Sequence, residues 1–545
     1  MEWQPRLNKV SGWGSQGDAV SADEAAVLAL LAREQFGATD SAVAPLTAAD
    51  FSLPPSKVVP PESLSAITTD RRADRLAHAS GKSFPDLARA RTGRVDHAPD
   101  LVAYPRTEAD ISELLDWAAA ELIAVIPYGG GSSVVGGVTP DVGPGYRGSL
   151  SLDLQRLDRV LEVDPVSRAA RAQAGVLGPD LARQLKSSGL ALRHYPQSYQ
   201  YSTLGGWIAT RAGGHYATGP THIDDFVEAV RVISPAGTWQ TRRLPAAGAG
   251  PDPNRLMLGS EGTLGILTEA WIRLQPRPGF RAAATVRFDS LPTAVAAVRE
   301  IAQAGLNPAN LRLLDRVEAR NALVADGTAE VLVIGFESAD HDVAGLLDRA
   351  LECTGDHGGV TAPSRAPADR DSVAADSDTP RPRSAQAWRD AFLRMPYYRD
   401  ELLGYGIISE TFETAVTWDR FEALHAAVTT AVTSALAAER LAPATVSCRF
   451  THVYPDGVAP YFTVLARGTH GDLDRQWWTV KQAASEAIMA AGGTITHHHG
   501  VGRDHVPWYR QERPDLFAAA LAGAGRELDP AGIMNPGVLG LRVGR

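Results

Sequence analysis

Three glycine-rich turns, each set beside an apolar run, constrain this chain more than any other feature of it. The first, Pro127-Tyr128-Gly129-Gly130-Gly131-Ser132-Ser133, directly follows the apolar stretch 122–127 and is trailed by Gly136 and Gly137. The second opens at Ser202-Thr203-Leu204-Gly205-Gly206 and runs through Arg211-Ala212-Gly213-Gly214 to Gly219. The third is Gly259-Ser260-Glu261-Gly262-Thr263-Leu264-Gly265-Ile266. Glycine lets a backbone come close to a ligand and point several N–H groups at one anion, and the serines add hydroxyl donors. Taken alone, such a turn is as readily a structural bend as a pyrophosphate site. Three of them, about 75 and about 55 residues apart, can converge on one extended ligand. The first is not a G-x-G-x-x-G turn opening a helix, so a nicotinamide-binding reading has little support.

A chain of 545 residues exceeds one ordinary core and fits several domains. Residues 1–95 read as a helical N-terminal region, with an amphipathic stretch at 23–36 and a connection broken by Pro54, Pro55, Pro60 and Pro61. From 96 to 278, short β-runs alternate with helices and tight turns. Strands are expected at 122–127, 169–174 and 226–234, and a helix at 176–188. A second α/β region spans 279–490, with a helix at 291–304 and a strand at 331–336. Within it, the polar stretch 366–384 has too few apolar residues to build structure and reads as a mobile loop. Residues 491–545 form a C-terminal section with a histidine-rich turn and a closing helix.

The three loops in this order, with Gly175-Val176 after the strand at 169–174, resemble the FAD-binding domain of the vanillyl-alcohol oxidase superfamily, also called PCMH-type. That resemblance implies an α+β fold. Its parts are an FAD-binding domain of two α/β subdomains and a cap domain with an antiparallel sheet. It also implies FAD held by Pro127, Gly129, Gly130, Gly131, Ser132 and Ser133, by Ser202, Thr203, Gly205 and Gly206, and by Glu261, Gly262, Gly265 and Ile266, with pyrophosphate, ribityl and isoalloxazine shared among the loops. Several relatives tether FAD through a histidine in or near the first loop. Residues 128–137 contain neither His nor Cys, so FAD is expected to be non-covalent.

Further motifs narrow the likeness to the alkyldihydroxyacetonephosphate synthase family. They are His497-His498-His499-Gly500-Val501-Gly502, the run Thr203 to Ala212 (TLGGWIATRA), Glu410-Thr411-Phe412-Glu413-Thr414 with Trp418-Asp419-Arg420, Ser447-Cys448-Arg449, and the early Gly12-Trp13-Gly14. What the resemblance implies is a flavin reaction without net redox change. C1 of acyl-dihydroxyacetone phosphate is bonded to flavin N5, the fatty acid leaves, a fatty alcohol adds, and an ether is released. Such chemistry needs a base, a cationic clamp for phosphate and an apolar channel.

Position by position, Tyr461 matches the family's proton-transfer tyrosine, and His497, His498 and His499 match its histidine triplet. Arg211 matches an arginine near the active site, and Arg449 and Arg503 are candidates for phosphate binding. A phenol titrates near ~10 and needs help from neighbouring cations or the flavin to act as a base. Tyr461 as sheet filler, the triplet as a polar surface turn, and either Arg449 or Arg503 as an ion-pair partner are the plainer alternatives. Adjacent histidines point in different directions and cannot form a helix-face zinc site. In an extended turn, two of the three can face a substrate. His215, after the second loop, reads as a surface or polar-core residue.

A net charge of −10 argues against nucleic-acid binding, so a small-molecule or lipid substrate is expected. Cys353 and Cys448 alone offer neither a disulfide framework nor a cysteine metal site, and no metal is expected. The N-terminus lacks a signal-peptide core and no apolar run approaches a membrane span, so a cytoplasmic enzyme is expected; peripheral membrane contact and a homodimer stay open. Two other readings share the loops: an FAD-dependent dehydrogenase of D-2-hydroxy acids, and a flavin-binding protein without catalysis.

Overall fold

The computed structural model describes residues 3–38, 41–322, 324–362 and 383–541, so residues 366–382 of the expected loop lie outside the described residues, while from Arg383 the backbone is already helical. Two β-layers carry the first half. In the smaller, strands Leu101–Ala103 and Ile123–Tyr128 run parallel to Gly148–Asp153, and Thr68–Thr69 adds antiparallel to the edge. In the larger, five antiparallel strands lie in the order Val160–Asp164, Ala169–Gln173, Ile266–Arg273, Val227–Ser234, Gly237–Gln240. Their shared core includes Ile111, Val125, Leu152, Ala172, Trp207 and Ile266.

The second half is an antiparallel sheet of eight strands backed by helices. Its central order is Glu330–Ser338, Asn310–Leu314, Ala444–Val453, Gly457–Arg467, Ile407–Glu413. One face buries Val286, Phe450, Phe462 and Val464 against helices Leu291–Gln303, Trp418–Ala438 and Leu473–Ala490. Because side chains alternate along a strand, the odd-numbered Arg449, Tyr461 and Thr463 turn to the opposite face, toward the first half. Helix Trp418–Ala438 corrects one sequence expectation, since by length and composition it could cross a membrane. Its Phe421, Leu424, Val428 and Val432 are instead buried in this core, which accounts for its apolarity.

The expected strand at 122–127 is Ile123–Tyr128, and the expected helix at 176–188 is Gly178–Leu185 followed by a tight turn. Two segments do more than the sequence indicated. The N-terminal region contains helix Ala22–Phe36, capped by Ser21 and Glu24, and the shorter helices Arg72–Ala77 and Phe84–Arg91, with irregular connections between them. The first of these packs Leu28 and Phe36 against Leu402 and Leu465 of the second half. The C-terminal section returns to the first half: Val125 N–H donates to Ile533 O, and Asn535 N–H to Val125 O. Both halves are thereby held around one interior face.

Candidate active site

The three glycine loops meet at that face, and the contacts explain why they are glycine. A Cβ on Gly130 would stand 1.7 Å from Tyr201 O, so the first loop lies directly on the second. A Cβ on Gly262, whose φ of +75° already favours glycine, would stand 2.6 Å from Pro127 Cγ, so the third lies on the first. All fourteen residues expected to hold the cofactor line one cavity of about 380 Å³. Some of their side chains are committed to shaping the loops. Ser133 Oγ accepts from Gly137 N–H, Thr203 Oγ1 caps helix Leu204–Thr210, and Ser202 Oγ accepts from Trp207 Nε1. Three backbones that pack on one another where glycine leaves room form a cradle that fits the long, thin dinucleotide expected from the sequence.

Glu261 lines the cavity and also braces it. Its carboxylate accepts Val501 N–H at 2.7 Å and Gly502 N–H at 2.8 Å, tying the third loop to the segment just after the histidines. Burial pushes this carboxyl up to about 7, against the pull of those two N–H groups.

Opposite the cradle, the second half presents Tyr461, Arg449, Arg312, His498 and His499 to the same cavity. Tyr461 is 5% exposed, and Arg449 lies with its guanidinium carbon 3.8 Å from the centre of the ring. Burial raises the phenol pKa, with Arg449 and a hydrogen bond to Thr411 opposing the rise without cancelling it. The cation thus sits over the ring face, and the resting side chain is a phenol. Arg449 pairs with the buried Glu318, and Arg312, pushed down to about 9 by burial and by Arg449, donates to His215 O.

The histidine triplet is held by one carboxylate. Glu413, next to Tyr461 across the strand pair, is 3% exposed. It accepts the backbone N–H of His497, His498 (3.1 Å) and His499 (2.9 Å) and the hydroxyl of Thr496 (2.5 Å). The loop wraps this anion and fans the rings outward. His498 stacks toward Tyr461 at 6.1 Å between centroids, and His499 meets it edge-on at 5.8 Å. Burial holds both imidazoles down to about 3, so they are neutral. His497 does not line the cavity. It points the other way, to Tyr454, with Nε2 at 2.7 Å from the phenol oxygen.

Two expected site arginines lie elsewhere. Arg211 closes helix Leu204–Thr210 in a left-handed conformation and pairs with Asp224 at 2.8 Å, its side chain 56% exposed. Arg503 donates to Thr139 O and Pro536 O, joining the tail of the first loop to the C-terminal section. Neither lines the cavity. The expectation of no metal rested on cysteine count and on chain adjacency. The fold adds His452 to the set, and ring nitrogens of His452, His497 and His498 come within 4.8 Å of one another, a spacing a metal ion would accept. Both nitrogens of His497 already have hydrogen-bond partners within the protein.

Several cavity residues escaped sequence reasoning. Arg312 carried a readable signal, a charge set between Leu311 and the pair Leu313-Leu314 of a short strand. Lys481 had none, since a lysine on an amphipathic helix is ordinarily solvated, yet it is 4% exposed and 3.6 Å from Glu410. The apolar arm of the cavity, lined by Trp13, Leu28, Leu31, Met395, Leu402 and Leu465, draws on three distant segments.

Comparison with known proteins agrees with this architecture. Residues 99–242 match the family described as FAD binding domain, and residues 277–539 match FAD linked oxidases, C-terminal domain. The alkyldihydroxyacetonephosphate synthase of Trypanosoma brucei brucei is 32% identical over 476 residues, covering 85% of this chain and 77% of that protein. The synthase of the same name from Caenorhabditis elegans is 31% identical over 495 residues, covering 84% and 79%. A crystal structure of an alkyldihydroxyacetonephosphate synthase superposes with a TM-score of 0.79 at 24% identity, covering 97% of this chain and 99% of that one, a likeness of fold.

Proposed function

The chain belongs to the alkyldihydroxyacetonephosphate synthase family, and from that premise we propose that it exchanges the acyl group of acyl-dihydroxyacetone phosphate for a fatty alcohol, forming an ether. FAD is its cofactor. When bound, it supplies an electron-poor ring against which the bond at C1 can be exchanged with no net oxidation. The observation that carries the reading is one cavity combining the glycine cradle, a Tyr–His pair, two arginines and an apolar arm.

Each feature has a task in that reaction. Arg312 and Arg449, the latter already paired with Glu318, bring planar donors that match the oxygens of a phosphate. Trp13, Leu28, Leu31 and Leu402 offer an apolar lining, against which each buried CH₂ of an alkyl group contributes about 0.8 kcal/mol. Neutral His498 has a nitrogen able to accept a proton, and Tyr461, a phenol at rest, has one to donate. Their proximity supports a pair that moves a proton to and from C1 or the incoming alcohol. Arg449 over the Tyr461 ring favours the phenolate whenever that proton is given up. The first loop contains neither histidine nor cysteine to bond the flavin, which supports non-covalent FAD.

The test is direct. The purified holoprotein is incubated with acyl-dihydroxyacetone phosphate and a fatty alcohol, in parallel with a panel of 2-hydroxy acids and an artificial electron acceptor. Ether formation without acceptor reduction is expected. Acceptor reduction by a hydroxy acid without ether formation would overturn the reading.

A further inference from the structure

The proposed exchange, on which this inference rests, releases a proton. The acyl group leaves as a carboxylate with the electron pair of the C1–O bond that breaks. The alcohol oxygen makes the new C1–O bond, and its hydroxyl hydrogen is left over as H⁺. That proton appears inside a cavity whose wall around Tyr461 is buried, so it needs a way out.

The histidine triplet opens onto one. His498 lines the cavity, and its Nδ1 lies 3.1 Å from Nδ1 of His497. His497 Nε2 is 2.7 Å from the Tyr454 hydroxyl, which is 3.1 Å from Thr221 Oγ1, and Thr221 Oγ1 is 3.1 Å from Nδ1 of His222. Thr221 is buried, whereas Tyr454 and His222 are partly exposed. We propose that His498, His497, Tyr454, Thr221 and His222 form the path by which the proton released in the cavity reaches solvent.

The far end of the chain fixes its direction. His222 Nε2 lies 2.9 Å from the carbonyl oxygen of His497, which can only accept, so this nitrogen carries the hydrogen. With a neutral ring, His222 Nδ1 then accepts from Thr221, Thr221 accepts from Tyr454, Tyr454 accepts from His497 Nε2–H, and His497 Nδ1 accepts from His498 Nδ1–H. This assignment follows from the network of partners. The four links from His498 to His222 then all donate away from the cavity, and His498 is left with Nε2 bare, ready to take a proton. A proton gained there is passed on by a shift along each bond in turn, until His222 carries a hydrogen on both ring nitrogens and, being partly exposed, gives one to water. Burial favours such passage, because rings held neutral at rest give up an added proton instead of keeping it. It also gives His497, which does not face the cavity, a reason to stand beside His498.

Tyr454→Phe keeps the ring and breaks the chain at its middle. Ether formation and proton release, the latter followed with a pH-indicator dye, are measured on the holoenzyme in a dilute, bulky buffer. Tyr454→Phe should keep its FAD and its melting temperature, lose roughly tenfold or more in both rates, and recover them on addition of millimolar imidazole. Thr221→Val should behave in the same way, and Thr221→Ser should stay near wild type. A Tyr454→Phe protein with wild-type rates, or with a loss that imidazole does not restore, overturns the path. A wild-type protein that makes no ether, or makes it without releasing a proton, overturns the functional reading instead.

Discussion

Glu413 is where the fold invests most in the placement of the histidines, and its removal has a calculable cost. One buried carboxylate takes four donors: the Thr496 hydroxyl and the backbone N–H groups of His497, His498 and His499. Hydrogen bonds to a charged group contribute about 1.5–3 kcal/mol each, and a buried donor left without a partner costs about 1–3 kcal/mol. The four share one anchor and do not add, and the loop can relax toward water. Glu413→Ala should therefore cost about 3–5 kcal/mol, near the top of what single substitutions do. In Glu413→Gln one oxygen still accepts, while the new NH₂ group faces backbone donors, for a loss of about 2–3 kcal/mol. Because Glu413 is paired with Tyr461 across the strands, releasing the loop separates His498 from Tyr461. A misplacement of about 1 Å is enough to cost ~10²-fold in rate. Guanidinium unfolding of both variants, together with kcat and KM, is the assay. The loss should fall mainly on kcat, with FAD content kept. A Glu413→Gln protein with a wild-type unfolding midpoint and wild-type kcat would refute the idea that this carboxylate positions the triplet.

Other expectations follow from the same contacts. Tyr461→Phe removes the phenol and keeps the packing, so FAD content should persist while turnover falls ~10²-fold; unchanged turnover on a verified substrate would return Tyr461 to the role of sheet filler. Gly130→Ala should fail to retain flavin, since its Cβ would meet Tyr201 O at 1.7 Å; a full flavin complement after purification counts against the cradle. Acid precipitation should leave the yellow chromophore in the supernatant, and flavin remaining in the pellet would mean a covalent bond. His499 is held by burial down to about 3, below its ordinary 6.5, so the folded apoprotein binds fewer protons than the unfolded chain. Its contribution is whole above pH 6.5 and is lost toward pH 3, at about 1.4 kcal/mol per unit. The stability difference between wild type and His499→Gln should shift by that slope, against wild type, from pH 6.5 to 5; a flat difference contradicts the burial argument.

What the sequence determined on its own is the part of this protein that depends on backbone. Where main chains touch, only glycine is tolerated, so the three loops could be read one residue at a time. Gly130 on Tyr201 and Gly262 on Pro127 supply the reason. The period-2 burial around Tyr461 and the turn at the histidine triplet were legible for the same kind of reason, because they are local. The long charged side chains were not. Arg211, Arg449 and Arg503 look alike in sequence, yet one pairs with Asp224 at the surface, one with Glu318 against Tyr461, and one spans two carbonyl groups. An arginine goes to whichever acceptor the fold brings within its reach, and those acceptors come from elsewhere in the chain. The same holds for Glu413, which a motif can mark but only the returning C-terminal loop can fill with donors. It holds also for the wall made by Leu28 and Leu31, two ordinary positions on an amphipathic helix until Leu402 and Leu465 pack beside it. Backbone closeness leaves its mark on a single residue, whereas a side chain's partner is a property of two segments, and only tertiary structure brings the two together.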